Sequence, residues 1–310
     1  MTTSTWFEDL PVLGALPPDK AAAKLREVGE VEAATALEAA QGEVTRGPVF
    51  GKREIKWPFG DKAWQHTAHA FGYLAPAPPG SDPLPIQHAG NIKAHARLKK
   101  ARIKITLDRL RVADYPGGST HRVLFDFYAQ NQVAGTVEHL HFNATHRVHE
   151  GEQAAILGYP IFVGLNVGTE GVAFKCFTVN VGNDADEAFL GFLESDVFKE
   201  GLKLASTVQP AIGLFSETAL GLTKAIATRN RNVPVQDFYM GLDFSRIATR
   251  ARLAEGSYLA VQIPEAIHTV WDWSEWVYNP ASGRVVNKDD PTQLIPYNYV
   301  VFSVSRYEGD

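Results

Sequence analysis

The 310-residue sequence contains one cysteine, Cys176. A single thiol cannot form an intramolecular disulfide or fill a structural zinc site, which is typical of proteins from reducing compartments. The sequence also lacks a Gly-x-Ser-x-Gly motif and a glycine-rich loop followed by Lys and a helix. Those motifs mark nucleophile elbows and phosphate-binding loops. Their absence argues against nucleophilic hydrolysis and nucleotide binding.

An excess of positive charge and a membrane-spanning run are also missing. The formal net charge is −5, whereas proteins that bind nucleic acid usually carry a basic face. The N-terminus has neither the basic nor the apolar region of a secretory signal. The longest apolar stretch, 210–227, includes Glu217 and Lys224 and therefore predicts a buried helix. We expect a cytoplasmic protein that binds no nucleic acid, and its compactness favours a bacterial origin.

The composition that remains is that of a globular protein. Hydrophobic residues make up 45% of the chain and charged residues 21%, which is close to the average for folded soluble domains. The length allows one large domain or two ordinary ones, with enough apolar material for a sizeable core.

Residues 1–45 predict a short helical hairpin. Pro17-Pro18-Asp19 supplies a helix start with Asp19 as the N-cap. Gly29 separates this helix from a second one, rich in alanine and glutamate, that is predicted to end at Gly42. Neither helix is long enough to be stable alone. The hairpin must therefore pack on the rest of the chain or on a partner.

Residues 46–97 predict an irregular strap or linker. The segment contains seven prolines, which remove backbone donors and interrupt helices and central strands. Its aromatic content is too high for a free linker, so we expect it to lie against the body of the protein. The aromatic residues are Trp57, Phe59, Trp64, Phe71 and Tyr73.

From residue 98 to residue 310 the pattern changes to an alternation of polar and apolar positions. That period is typical of half-buried strands, and strands at such close spacing predict a mainly β fold, an antiparallel β-sandwich. The predicted strands are 102–107, 123–129, 137–145, 161–167, 172–181, 235–244, 257–263, 271–278, 284–287 and 297–306.

Helical insertions are predicted within the sandwich, over about residues 186–228. The segment 186–198 places its apolar residues on one side, and a longer helix begins at Pro210 with apolar residues at helical spacing. Because these helices lie between runs of strands, the pattern is not that of a βαβ series.

The densest group of candidate ligands lies on the predicted strand 137–145 and just beyond it. His139 and His141 are two residues apart, so on a strand both imidazoles lie on one face. Imidazole is the commonest protein ligand of transition metals, and a third ligand would complete an open, catalytic type of site. The alternative is a solvated strand face. The candidates for the third ligand are His146, His149 and Glu150.

Two acidic loops follow predicted strands in the middle of the chain. Asp108 and Asp114 lie in the loop segment 107–119, and Asp184 and Asp186 lie in 179–191, which ends in Phe-Leu-Gly. Over about residues 101–195 this arrangement resembles a C2 domain, in which strands of a β-sandwich run into acidic loops.

The C2 resemblance implies a ligand and a partner. It implies that Asp108, Asp114, Asp184 and Asp186 bind calcium, which takes six to eight oxygen ligands, and that the sandwich docks on a membrane surface. One carboxylate of the family pattern is missing, since Thr120 follows where that pattern has an acid. Considered without the resemblance, the acids at 184–187 are typical of a helix cap.

The last feature is a tryptophan-rich run. Trp271, Trp273 and Trp276 lie among acidic residues on the predicted strand 271–278, where Trp271 and Trp273 share a face. They form either a wall of the sandwich core, which is the usual fate of tryptophan, or an exposed aromatic surface that binds a sugar or a peptide.

These observations favour a non-enzymatic interaction or assembly protein. Each candidate catalytic set lacks a member that the chemistry needs, and a short helical hairpin suits docking to a protein partner or self-assembly. A membrane surface is the partner that the C2 resemblance implies. The alternative is an enzyme that uses a transition metal bound by His139, His141 and His149 or a neighbour. No other cofactor is indicated.

Overall fold

The computed structural model of the chain describes residues 5–44, 58, 60–78, 80–81, 83–133, 135–204, 209–246 and 251–309. Strands account for 41% of the residues and helices for 24%, which confirms a mainly β fold with inserted helices. Trp57 and Phe59, which were predicted to belong to the aromatic strap, lie outside the described residues.

The N-terminal helices form where the sequence predicts them, with different ends. Pro17 occupies the N-cap of the first helix and Asp19 lies in its first turn, so the predicted cap is two positions off, since Pro18 is the preferred first helical residue. The second helix continues through Gly42. The α-helices in the described ranges are α1 (Pro18–Glu27), α2 (Val31–Val44), α3 (Glu187–Leu193), α4 (Asp196–Lys199) and α5 (Pro210–Ala227).

The strands of the described residues form two main sheets and two small ones. They are β1 (Ala68–Leu74), β2 (Leu84–Pro85), β3 (Gln87–His88), β4 (Arg102–Arg111), β5 (Thr120–Val133), β6 (Thr136–His149), β7 (Gln153–Asn166), β8 (Gly171–Val172), β9 (Phe174–Val181), β10 (Leu202–Lys203), β11 (Asn232–Tyr239), β12 (Leu242–Asp243), β13 (Gly256–Ile263), β14 (Trp276–Asn279), β15 (Arg284–Asn287) and β16 (Tyr299–Arg306).

The large sheet has seven strands in the order β10-β7-β4-β16-β13-β1-β3, and the small sheet has four in the order β11-β9-β5-β6. Within both sheets the described pairs are antiparallel, except that β10 runs parallel to β7. A three-stranded sheet, β15-β14-β2, and the pair β12-β8 complete the β structure.

The two main sheets pack face to face through aromatic side chains. Phe302 of β16 has its ring centroid 5.0 Å from that of Phe174, 5.9 Å from Phe127 and 6.1 Å from Phe238, all on the small sheet. Edge-to-face pairs at these distances are a favourable aromatic geometry. The core of the sandwich therefore lies between the sheets, as alternating strands require.

A second core covers the opposite face of the large sheet. It contains Trp273, Trp276 and Ile295, which pack on alternate residues of β13 and β16 such as Val261 and Tyr299. The large sheet is therefore buried on both faces. The β14–β15 hairpin and the Trp-rich turn before it form the outer layer that covers it.

One predicted boundary needs correction. The strap over 46–97 contains β1, which pairs with β13 along its whole length, so the sandwich includes a strand from before residue 98. Of the two packing arrangements predicted for the N-terminal hairpin, on the rest of the chain or on a partner, the structure shows the first. Phe7, Leu13 and Leu25 are at most 1% exposed and belong to the main core.

Two predicted elements also differ from the structure. The predicted strand 271–278 is a strand only from Trp276, since residues 273–275 form a 3₁₀ turn. The predicted helix 186–198 is divided into α3 and α4 because Ser195 has an extended backbone, φ −68° and ψ 160°, at the start of α4. Tryptophan and acidic residues alternate before Trp276 with the period of a strand, but this part of the predicted segment does not form a strand.

Candidate functional site

An aromatic pocket lies in the outer layer, around the turn that precedes β14. The Oδ1 atom of Asp272 accepts a hydrogen bond from the backbone N–H of Ser274 at 2.8 Å, which closes the 3₁₀ turn before the strand begins. The backbone reverses direction here instead of extending. As a result, Trp271, Trp273 and Trp276 converge, and the shared strand face predicted for Trp271 and Trp273 does not form.

The indole rings of Trp273 and Trp276 both pack near that of Trp271. The Trp273 ring is steeply inclined to the Trp271 ring, and the Trp276 ring is parallel to it. The ring of Trp271 lies 5.4 Å from that of Trp273 with an angle of 77° between planes, and 6.4 Å from that of Trp276 with an angle of 3°. Tyr297 meets Trp271 edge to face at 5.9 Å. Trp273 and Trp276 are 4% and 8% exposed, whereas Trp271 is half-buried, so Trp271 is the ring that solvent reaches.

A glycine on the large sheet makes room for the deepest ring. A Cβ atom on Gly72 of β1 would lie 3.1 Å from both Cη2 and Cζ2 of Trp273 and 2.6 Å from Cγ2 of Ile86. The absence of a side chain at this position of β1 lets the indole pack directly on the sheet.

The rings border a cavity of about 460 Å³ whose lining includes Pro85, His88, Asn91 and Lys288 besides the three tryptophans. This volume lies within the range of small-ligand and peptide side-chain pockets. The residues come from the loop around β2 and β3, the Trp-rich turn, and the loop after β15. The pocket is therefore assembled from segments far apart in the sequence.

Two buried hydrogen-bond donors of this pocket lack a partner. The Nε1 atoms of Trp271 and Trp273 are shielded from solvent, and no acceptor among the described residues lies within hydrogen-bond distance of either. An unsatisfied buried donor costs about 1–3 kcal/mol, and most buried polar groups in folded proteins are satisfied.

The polar side chains of the lining include both donors and acceptors: His88, Asn91, Asp272, Ser274 and Lys288. Nδ1 of His88 accepts from the backbone N–H of Gly90 at 3.1 Å, so the neutral ring carries its proton on Nε2. Burial lowers the pKa of His88, which favours that neutral form. The Oδ1 atom of Asn91 is bound by Arg246 at 3.2 Å, which leaves the Asn91 amide N–H groups, and Lys288 adds an ammonium group.

The predicted metal strand has a different organisation. His139 and His141 share a face of β6, as expected, but each has its own partner. His139 is exposed and its Nδ1 lies 2.7 Å from the hydroxyl of Tyr128. His141 is buried, with Nδ1 2.6 Å from Oδ1 of Asp126 and Nε2 3.0 Å from the carbonyl oxygen of Thr5. Each ring nitrogen of His141 therefore faces an oxygen atom of the protein itself.

The carboxylate of Asp126 completes a buried polar network. Its Oδ2 accepts from the amide of Asn143 at 3.1 Å and from the hydroxyl of Thr223 on α5 at 3.0 Å. Because each member is hydrogen-bonded, the network joins β5, β6, α5 and the N-terminal segment through Thr5. Its geometry is that of a satisfied structural cluster.

The other candidate metal ligands are dispersed. Nδ1 of His149 lies 2.9 Å from the hydroxyl of Thr120, and Glu150 lies 3.7 Å from Nε2 of His121. Burial lowers the pKa of His146 to about 4. Of the His, Cys, Asp and Glu side chains in the described ranges, no three are placed to hold one metal ion.

The acids implied as calcium ligands do not form one group either. Asp108 accepts from Thr106, Gly158 and Ser303, and Asp114 pairs with Lys62 at 2.7 Å. Asp184 is exposed, with Arg231 3.6 Å away. The four acids serve separate local structures.

Asp186 was expected to ligate calcium or to cap a helix. It is fully buried, bound by Arg229 and by the Asn232 amide at 2.7 Å. Although it stands at the N-cap position of α3, its side chain makes no capping hydrogen bond. The carboxylate instead fixes the start of α3 to the segment between α5 and β11.

Sequence reasoning identified part of the aromatic pocket. It named Trp271 and Trp273 and missed Gly72, His88 and Asn91, since their proximity depends on how β1 and β3 pair. Trp276 belongs to the same Trp-rich run. Its closeness in sequence to Trp271 and Trp273 was the one indication that a third ring lines the pocket.

Comparisons with known proteins gave no relatives: no family model, no curated protein and no solved structure matches this chain. No helix in the part of the chain that the structure describes is long and apolar enough to cross a lipid bilayer.

Proposed function

We propose that this chain is a non-enzymatic interaction protein that binds a segment of a partner protein in the aromatic pocket. One observation carries the proposal: Trp271, Trp273 and Trp276 line one cavity of about 460 Å³, and the half-buried ring of Trp271 is the part of this aromatic wall that solvent reaches.

The packing of these rings supports the same proposal. Trp271 is half-buried and Trp276 is 8% exposed, so a ligand would meet an aromatic wall that is already packed and ordered. Tryptophan is enriched at the energetic centres of protein interfaces because it buries a large area and keeps a polar N–H. Little side-chain entropy is lost on binding when the rings are held in place beforehand.

The test compares variants of the full chain as bait for a partner. Trp271→Ala and Lys288→Ala are expected to lose a protein that the wild type retains, and the purified partner is expected to bind at least tenfold more weakly to both. Phe192→Ala is the matched control, because Phe192 is an exposed aromatic residue whose ring contacts Phe198 and not the pocket. Thermal unfolding of each variant verifies that it is folded. Equal binding by all four proteins would refute the proposal.

The alternative proposal is a metal-dependent enzyme built on His139, His141 and His149. The contacts of His141 with Asp126 and Thr5 give this alternative no support, because a metal would need one of those ring nitrogens. Elemental analysis of the purified protein tests it: stoichiometric zinc, iron or manganese that disappears in His139→Ala and His141→Ala would favour the enzyme over the binding protein.

A second candidate function, docking on a membrane surface, is favoured by a separate observation. Phe189 and Phe192 on α3 are 47% and 60% exposed, so one short helix presents two large aromatic side chains to solvent. Sedimentation with phosphatidylcholine vesicles tests this candidate. We expect binding that is lost in Phe189→Ser/Phe192→Ser and unchanged in Trp271→Ala, and no sedimentation of the wild type would refute it.

A further inference from the structure

We propose that the region where the β14–β15 hairpin covers β4 binds a phosphate group, either as the free ion or as part of a small molecule. Three arginines meet there, Arg109 and Arg111 on β4 and Arg284 on β15. None of the three lines the aromatic pocket. The inference therefore adds a second binding site to the proposed function and does not depend on it.

The register of the large sheet places two of these arginines on one face. Arg111 is paired with Tyr299 of β16 on one side and with Gln153 of β7 on the other. Arg109 lies two residues before Arg111, so both side chains are on the face that Tyr299 shares with the outer layer. The tip of the hairpin lies over this face, because Gln153 donates to the carbonyl oxygen of Ser282 at 2.5 Å.

Arg111 is a buried cation without a counter-ion among the described residues. Its side chain is 7% exposed, and Nη1 donates to the carbonyl oxygen of Gly151 at 2.7 Å. Nε is shielded from solvent without a partner, whereas Nη2 has no partner among the described residues and is not shielded in this way. Burial lowers the pKa of Arg111, and the charge of Arg284 acts in the same direction. A buried charge without an opposite charge is unfavourable.

Arg109 is held in place beside Arg111 by the hairpin. Its Nε donates to the hydroxyl of Tyr278 at 2.9 Å. Its guanidinium packs on the backbone of Gly283, where an added Cβ atom would overlap it. Gly283 has φ +68°, which glycine adopts at little cost. The turn of the hairpin therefore leaves room for the guanidinium, and neither Nη atom of Arg109 has a partner among the described residues.

The neighbouring polar groups do not supply the missing negative charge. Burial raises the pKa of Tyr299 to about 12, although Arg111 and Arg109 oppose that rise, so the hydroxyl stays neutral at pH 7. Asp108 is next to Arg109 in the sequence, but its carboxylate is bound by hydroxyl groups of β4 and β16. The three guanidinium groups thus repel one another with no described carboxylate paired to them.

The chemistry of arginine selects the class of ligand. A guanidinium binds the oxygens of phosphate or carboxylate through charge-assisted hydrogen bonds, often two at once. A phosphate group carries about two negative charges at pH 7, whereas a carboxylate carries one. Phosphate therefore offsets more of the repulsion among three cations. Arg284 is exposed, so a ligand can approach the group from the side of β15.

The test is calorimetric titration of the full chain with inorganic phosphate at constant ionic strength. We expect saturable binding of one phosphate per chain. Arg284→Gln, at an exposed position, should weaken binding about tenfold, the effect of losing one hydrogen bond to a charged group. Arg231→Gln is the matched control, because Arg231 is exposed and lies 3.6 Å from Asp184, away from the hairpin. It should bind phosphate like the wild type.

Arg111→Met distinguishes a ligand site from a purely structural role. Methionine is a flexible apolar side chain that fills irregular space without a charge. The inference predicts that the variant is at least as stable as the wild type without phosphate and that, unlike the wild type, it gains no thermal stability when phosphate is added. If Arg111 only ties β4 to Gly151, the variant should be less stable than the wild type under both conditions, and the inference is overturned. The comparison of Arg284→Gln with Arg231→Gln decides the matter even if Arg111→Met does not fold.

Two further titrations identify the source of the phosphate group. Glycerol 3-phosphate that binds as tightly as inorganic phosphate would support a phosphate carried by a small molecule, and weaker binding would support the free ion. Acetate that binds as tightly as phosphate at the same ionic strength would overturn the inference. Absence of saturable binding by both phosphate compounds would also overturn it. That last result would leave the proposed function standing, because the aromatic pocket contains none of these arginines.

Discussion

At the scale of single residues, the chain buries polar groups in two different ways. The Asp126 network satisfies each of its members, with His141, Asn143 and Thr223 bound to one carboxylate. The Nε1 atoms of Trp271 and Trp273 are shielded from solvent and have no hydrogen-bond partner among the described residues. The first pattern stabilises a fold, and the second costs stability.

Removing His141 should strongly destabilise the protein. His141→Ala leaves Oδ1 of the buried Asp126 without its 2.6 Å partner, and leaving a buried polar group unsatisfied costs about 1–3 kcal/mol. Urea denaturation should show that loss. His139→Ala, on the exposed neighbour, should cost less than about 1 kcal/mol. Similar losses in the two variants would contradict the structural role of His141.

Asp237 should make stability depend on pH. Burial raises the pKa of Asp237 to about 6, against the opposing effects of the Trp6 N–H and Lys175. Its unfolded value is about 3.9, so between about pH 4 and pH 6 the folded state binds more protons than the unfolded state. The free energy of unfolding therefore falls as the pH rises through that window and stays lower above it.

Asp237→Asn tests this dependence because the amide oxygen can still accept from Trp6. We expect the variant to be more stable than the wild type at pH 7 by on the order of 1–2 kcal/mol, and the difference should shrink as the pH is lowered to 4. Glu200→Gln, at an exposed acid, should show no such trend. If the wild type instead gains stability relative to Asp237→Asn as the pH rises, the pH dependence has the opposite sign and the prediction is wrong.

At the scale of elements, the position of the Trp-rich turn depends on one residue of β1. Gly72→Ala would place a Cβ 3.1 Å from the Trp273 ring and 2.6 Å from Ile86. Overpacking of this kind costs about 1–3 kcal/mol, and the displaced ring should also alter the pocket. Gly213→Ala is the matched control: Gly213 lies in α5 with nothing within 4 Å of the added carbon, so it should stabilise the protein by up to about 1 kcal/mol. Chemical denaturation of both variants decides the point.

Elements with a consistent local pattern were predictable from the sequence. The strand predicted at 102–107 and the helix predicted from Pro210 correspond to β4 and α5, because alternation and helical spacing each match the burial of one face. The predicted strand 271–278 failed because Asp272 caps a turn, a local hydrogen bond that outweighs the period. β1 was missed because the prolines around it are typical of an irregular segment, whereas its pairing with β13 depends on a partner almost 200 residues away.

The candidate site was predictable only in part, for the same reason. Trp271 and Trp273 were visible as a run, but Gly72, His88 and Lys288 reach the pocket through sheet pairing and loop closure. The spacing of His139 and His141 correctly predicted that the two side chains share a face of β6. It did not predict which groups the His141 ring contacts. Asp126 and Thr5 come from β5 and from the N-terminal segment, and no local pattern links them to β6.

At the scale of the whole molecule, the N-terminal segment and hairpin are part of the main core. Phe7 packs on Phe177 with ring centroids 4.2 Å apart, and Leu13, Leu25 and Leu37 are at most 2% exposed. Burying each such side chain contributes about 1.5–3 kcal/mol. Their sum is comparable with the whole stability of an ordinary domain, about 5–15 kcal/mol.

Deletion of residues 1–45 should therefore unfold the body rather than only remove a docking arm. We expect loss of the cooperative thermal transition, measured by circular dichroism, and binding of a hydrophobic dye to the exposed core. A truncated chain that melts within a few degrees of the full chain would show that the hairpin is dispensable. A deletion of the last three residues, of which Glu308 and Gly309 are exposed, is the control and should leave the transition unchanged.

The strand β16 divides its side chains between the two cores. Phe302 points into the sandwich and Tyr299 into the outer layer, so the backbone between them is shielded by protein above and below and is paired with strands on both edges. Water reaches the backbone amides of β16 only when the large sheet separates from the small sheet or from the outer layer. Exchange of these amides with deuterium should consequently report global unfolding, whereas exchange near Trp271 reports local opening of the outer layer.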